Sequence, residues 1–188
     1  MIKIGLTGSI ASGKTSASKF ISKNRGPLFS ADKIVTNLYK KNSFKAKIAN
    51  KLKFKLNSKF KKNLKNKILD KQSNLKKLEK IIHPLVRKEM LSFLKRYENM
   101  KILFLEIPLL VESKLNKNFD VVIFIKSSKS LRLKRYLLNG GDQKLFSLLD
   151  SKQIKDSKKM KLCNHIVVNN RSLVVLKKKL SNIIRLYE

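Results

Sequence analysis

Eight consecutive residues, Gly8, Ser9, Ile10, Ala11, Ser12, Gly13, Lys14 and Thr15, spell G-x-x-x-x-G-K-[ST] between an apolar run at residues 2–6 and a helical pattern. In that context the motif reads as a phosphate-binding loop. Glycine at each end lets the backbone curl so that successive N–H groups face the oxygens of an anion. Lys14 adds a mobile positive charge near the outer phosphates, and Thr15 at the helix start offers a hydroxyl to Mg²⁺. The N-terminus of the helix favours the same anion. The competing reading is an ordinary strand-to-helix turn with an exposed lysine, and the flanking pattern disfavours it.

Carboxylates and bases elsewhere extend this chemistry. Asp32, Glu106 and Glu112 lie at or just beyond the ends of expected strands, as Lys14 does. Taken alone, Asp32 suits a helix N-cap equally well, and Glu106 suits a rim charge. Two histidines and one cysteine cannot build a conventional zinc site. His165 opens an apolar run and reads as structural. His83 adjoins Pro84, and Arg87 follows one turn later.

The elements that must position these groups can be read from periodicity. Apolar runs at residues 2–6, 28–29, 101–107, 121–125 and 165–168 read as strands. Helical patterns cover residues 14–23, a very basic stretch at 33–71, then 74–97, 130–138, 142–161 and 173–187. Pro84 is expected at a boundary or kink, and Asn139-Gly140-Gly141 closes the helix before it. Strands separated by helices predict an α/β fold, a parallel sheet with helices on both faces and ligands at the carboxyl ends of the strands. No repeat of solenoid period is present.

A chain of 188 residues suits one domain, or one core with a smaller insertion. Residues 102–111 are the most membrane-like stretch, but they are short and carry Glu106 and Pro108. The N-terminus lacks the longer apolar region of a secretory signal. Cys163 stands alone, so no internal disulfide forms, and a cytoplasmic protein without membrane partners is expected. The net charge of +33 would ordinarily point to nucleic acid. Only seven of the 45 basic residues are Arg, however, and the lysines are scattered instead of forming one stripe. Bidentate base contacts and stacking favour Arg, so no nucleic-acid partner is expected, although Phe44, Phe54 and Phe60 interleave the densest lysine run.

Nearly the whole chain resembles the dephospho-CoA kinase family. Ile-Gly-Leu-Thr-Gly followed by Ser12 to Thr15 is similar to that family's first strand and loop. Ser30-Ala31-Asp32 resembles its Asp-Ala-Asp segment, residues 78–87 its His-Pro segment, and residues 106–112 its Pro-Leu-Leu segment. The strand at residues 166–170 ends in Asn, as the family's does. The resemblance implies a P-loop kinase core at residues 1–35 and 99–188, a lid at about 139–161, and a helical substrate-binding insertion at 36–98. It implies transfer of a phosphate from ATP, with Mg²⁺, to the ribose 3′-hydroxyl of dephospho-CoA. Asp32 then falls at the family's proposed base, beside Lys14 as the second catalytic residue. Gly8, Ser9, Ile10, Ala11, Ser12, Gly13, Lys14, Thr15 and Ser16 become the ATP contacts. Thr15 is expected on the metal, and Glu106 through water. His83, Arg87, Leu109, Glu112, Arg132 and Arg135 are the expected substrate-binding or lid residues. A monomer or small homo-oligomer is expected.

Departures accompany the matches. Ser9 and Ala11 stand where the family usually has glycine, Ser30 replaces the first Asp of its segment, and Glu106 replaces an Asp. Asn139 and Leu149 fall where lid arginines are expected, which leaves Arg132, Arg135 or lysines such as Lys152 to offer charge to the phosphates. The alternatives are a nucleoside monophosphate or other small-molecule kinase on the same core, and a basic RNA-binding P-loop protein whose catalysis has decayed. A regulatory GTPase is disfavoured, because no Asn-Lys-x-Asp segment follows a strand.

Overall fold

The computed structural model describes residues 1–188, which divide into two compact units, Met1–Ser30 with Arg96–Glu188, and Ala31–Lys95. The first unit is built on five parallel strands, β1 (Ile2–Thr7), β2 (Leu28–Ser30), β3 (Ile102–Glu106), β4 (Val121–Lys126) and β5 (His165–Val168). Their order is β2-β3-β1-β4-β5. The chain leaves central β1 for one edge and later crosses to the other, so the switch point lies at the carboxyl end of β1. The phosphate loop follows directly there.

Continuous apolar runs make these strands because both faces of the sheet are covered. On one face, Ile4, Leu6, Phe104, Ile123, Ile125 and Val167 pack with Ala17 and Ile21 of α1 (Lys14–Ser22) and with Leu176, Leu180 and Ile184 of α9 (Leu173–Ile184). Apolar residues three and four apart give each of these helices its buried stripe. On the other face, a Cβ at Gly5 would press on Leu110 and Phe119, so glycine is what lets the segment after β3 approach the sheet. The helices α6 (Lys129–Leu138), α7 (Gln143–Lys152) and α8 (Asp156–Met160) complete this unit. The expected helix at 142–161 is thus two helices with a break at residues 153–155. His165 is structural here, its Nε2 lying 2.6 Å from the Tyr187 hydroxyl.

Four helices form the second unit, α2 (Ala31–Leu38), α3 (Asn42–Leu52), α4 (Phe60–Asp70) and α5 (Ser73–Arg96). Phe44, Ile48 and Leu52 on α3 and Phe60, Leu64 and Ile68 on α4 recur at four-residue intervals and are buried. The unit begins before the insertion expected at 36–98, because α2 starts directly where β2 ends. Pro84 neither bounds nor splits α5, which runs through it for 24 residues. Proline forfeits one backbone N–H bond there, and the helix continues on both sides.

Candidate active site

The loop takes its shape from three residues with positive φ, Gly8 at 147°, Ala11 at 57° and Gly13 at 97°. A Cβ at Gly8 would collide with the Ile125 carbonyl, and one at Gly13 with the Asn169 amide. The two departures from the glycine pattern therefore differ. Ser9 keeps an ordinary φ, whereas Ala11 occupies the left-handed region that an L side chain resists. Lys14 Nζ donates to the Ser9 carbonyl at 2.9 Å, which folds the lysine over the loop.

Beside the loop, β3 delivers Glu106, in register with Leu6 of β1 and with Ser30 of β2. Glu106 is fully buried and is not the rim charge that its sequence position allowed. Thr15 Oγ1 donates to its Oε1 at 2.6 Å, and Ser18 Oγ donates to its Oε2 at 3.1 Å. Ser18 carries no motif signal; it lies one turn beyond Thr15, so both hydroxyls share a helix face. Ser16 is exposed at the start of the same helix. Past β3, Thr7 Oγ1 donates to the Pro108 carbonyl at 3.0 Å and holds the Pro-Leu-Leu segment on the end of β1, with Leu109 half-buried.

Polar groups from four other segments grip the loop from outside. Arg132 is buried, pairs with Asp150 at 2.6 Å, and turns Nη1 toward the Ile10 carbonyl at 3.4 Å. Arg135 reaches the Ser12 carbonyl at 3.4 Å, Ser127 Oγ at 3.1 Å and the Asn169 carbonyl at 3.0 Å. Asn169 Nδ2 donates to the Ser12 carbonyl at 2.9 Å. Gln153, between α7 and α8, accepts through Oε1 from the Ile10 N–H at 3.0 Å, and Asp156, which opens α8, accepts from the Ser9 hydroxyl. Sequence reading missed Asn169, Gln153 and Asp156 as partners of the loop.

Glu112 is committed to the same region of the first unit. It forms an ion pair with Lys159, a fully buried lysine of α8, and accepts from the Ile154 N–H at 3.2 Å. Nearby, burial raises the Cys163 thiol to about 11, an effect that Lys159 opposes and Glu112 reinforces. Lys152 is exposed.

Three expected site residues belong to the second unit. Asp32 is exposed in the first turn of α2, two residues past the Ser30 that pairs with Glu106. Because α2 begins at Ala31, Asp32 lies inside the helix and is not its N-cap. His83 and Arg87 are exposed on α5, four residues apart and so on one helix face. A cavity of about 820 Å³ within this unit is lined by Lys47, Asn50 and Lys51 of α3 and by Lys77, Lys80 and Ile81 of α5.

A parallel sheet with a glycine-framed loop at its switch point, and a buried carboxylate bonded to the loop threonine, defines a P-loop phosphotransferase. The model of the dephospho-CoA kinase family matches residues 2–174. A dephospho-CoA kinase of Bartonella quintana is 35% identical over 175 residues, covering 90% of each chain. The chain belongs to the dephospho-CoA kinase family. Among solved structures, a dephospho-CoA kinase from Campylobacter jejuni is similar with a TM-score of 0.64 at 25% identity, covering 99% of this chain and 97% of that one. TT1252 from Thermus thermophilus shares the fold with a TM-score of 0.77 at 22% identity, covering 100% of this chain and 98% of that one. Members of the family are kinases, so this chain is an enzyme with a nucleotide among its small-molecule substrates. No helix is long and apolar enough to cross a membrane.

Proposed function

We propose that the protein transfers the γ-phosphoryl group of ATP to the ribose 3′-hydroxyl of dephospho-CoA, giving coenzyme A and ADP. Family membership supports the acceptor, and the pairing of Thr15 with Glu106 carries the chemistry. A hydroxyl and a carboxylate 2.6 Å apart are hard oxygen donors of the kind that suit Mg²⁺, with nucleotide phosphates and water filling the other positions. Thr15 would hold the ion directly and Glu106 through water. When bound, Mg²⁺ supplies positive charge against the phosphate oxygens.

The chain's own groups do the rest by positioning and charge, since the transferring group needs little covalent help. The loop N–H groups that face inward, those of Ala11 and Gly13 among them, cradle the ATP phosphates, whereas the Ile10 N–H is held outside by Gln153. Lys14 turns from the Ser9 carbonyl to the outer phosphates and stabilises charge on the group in flight. Asp32 accepts the proton of the ribose hydroxyl as that oxygen attacks phosphorus. The Ala31–Lys95 unit serves the acceptor, with His83 and Arg87 as contacts. Its lysine-lined cavity suits an acceptor bearing a diphosphate. Leu109 follows the carboxyl end of β3 and packs against the acceptor, while Glu112 anchors the lid through Lys159. A cytoplasmic setting fits a reduced, unpaired Cys163.

An acceptor panel tests this reading. With ATP and Mg²⁺, dephospho-CoA should support ADP formation at least 100-fold faster than AMP or CMP, on the order expected when a site is built for one acceptor's polar groups. Equal or faster turnover of AMP would transfer the protein to the nucleoside monophosphate kinases.

A further inference from the structure

We infer that Asn169, acting with Arg135, is a positioning residue of the phosphate loop: the two side chains hold the Ser12 carbonyl outward and so aim the Gly13 N–H at the nucleotide phosphates. In a planar trans peptide the C=O and the following N–H point in opposite directions. A donor fixed on one side of the peptide therefore sets what the other side presents. Asn169 Nδ2 donates to the Ser12 oxygen at 2.9 Å and Arg135 Nη1 approaches it at 3.4 Å, so the Gly13 N–H faces the opposite way, into the cradle.

Neighbouring peptides obey the same rule. Arg132 approaches the Ile10 carbonyl, which turns the Ala11 N–H inward. The Ser9 carbonyl instead accepts from Lys14 within the loop, and the Ile10 N–H accordingly points out, where Gln153 accepts it. Three assignments, at the Ser9–Ile10, Ile10–Ala11 and Ser12–Gly13 peptides, thus separate the peptides presented to an anion from the one held by Gln153.

Asn169 is itself fixed. It is 7% exposed, its N–H donates to the Lys126 carbonyl at 2.7 Å, and its own carbonyl accepts from Arg135 and from Ser127 Oγ. Gly13 is kept free of a side chain where the amide sits. The arginines that sequence offered as phosphate ligands are in this structure bonded to the loop, so their charge acts through its shape.

The inference rests on the loop binding nucleotide phosphates and not on the identity of the acceptor, and ADP binding by calorimetry reads it without turnover. Asn169→Asp keeps size but places an acceptor against the Ser12 oxygen. ADP affinity should fall about tenfold or more, while adenosine, which makes no phosphate contact, binds within about twofold of wild type. Arg135→Met should weaken ADP in the same direction, and a double variant should lose less than the product of the two factors. Wild-type ADP affinity in both single variants would overturn the proposal. So would equal losses of ADP and adenosine, or failure of both variants to fold, which would make the pair a support of the sheet and not of the loop's aim.

Discussion

Glu106→Gln separates the chemistry of the site from its architecture. The carboxylate is fully buried, with Thr15 donating to one oxygen at 2.6 Å and Ser18 to the other at 3.1 Å. Glutamine is nearly the same shape. Its oxygen still accepts from Thr15, and its NH₂ donates to Ser18 Oγ, whose hydrogen remains available for the Thr15 carbonyl, 3.1 Å away in the present structure. The change forfeits the charge-assisted part of two hydrogen bonds, about 1 kcal/mol each, and regains part of the cost of burying a carboxylate. These contributions nearly cancel, so the nucleotide-free melting temperature should move by no more than about 4 °C in either direction. Phosphoryl transfer, by contrast, would lose the negative charge proposed to help place Mg²⁺ and should slow by about 100-fold or more. Differential scanning fluorimetry with a coupled ADP assay reads both. Turnover within about threefold of wild type would remove Glu106 from the metal site. A fall in melting temperature above about 10 °C would make it a structural group instead.

Ala11→Gly should relieve about 1–2 kcal/mol of left-handed strain and give back about 0.5–1 kcal/mol in chain entropy. The melting temperature should then hold or rise by up to about 4 °C, whereas Ala11→Val should lower it; the reverse order would contradict the strain at this position. Asp32→Asn should cut kcat by about 10²–10⁴ with ADP affinity unchanged, and normal turnover would dismiss Asp32 as the base. Lys159→Met leaves Glu112 without its buried cation and should cost about 3–5 kcal/mol by urea unfolding. Adding Glu112→Gln should recover much of that loss, and an additive double variant would mean that the two groups do not interact.

What was legible in the sequence was what local pattern carries. Five apolar runs separated by helical patterns give the parallel sheet, and the loop glycines mark where a Cβ would meet Ile125 or Asn169. The break at 153–155 was hidden because no glycine or proline marks it, and Pro84 misled because one proline need not end a 24-residue helix. Glu106 was ambiguous for another reason: its burial depends on β1 and β2 lining up on either side of it, which no local pattern records. The grip on the loop was least legible. Gln153, Asp156 and Asn169 lie more than 140 residues from the loop groups they hold, and a lone Gln, Asp or Asn carries no period. Arg132 and Arg135 were singled out as charges for phosphate; that their side chains also donate to loop carbonyls follows from long-range packing that no local pattern records.

The fate of dephospho-CoA itself decides whether this protein is its kinase. Purified protein with ATP, Mg²⁺ and dephospho-CoA should convert the acceptor to coenzyme A with one ADP per product, and phosphorus NMR should place the new phosphate on the ribose 3′-oxygen. ADP released while dephospho-CoA stays unmodified, or a phosphate found elsewhere on the acceptor, would contradict that role.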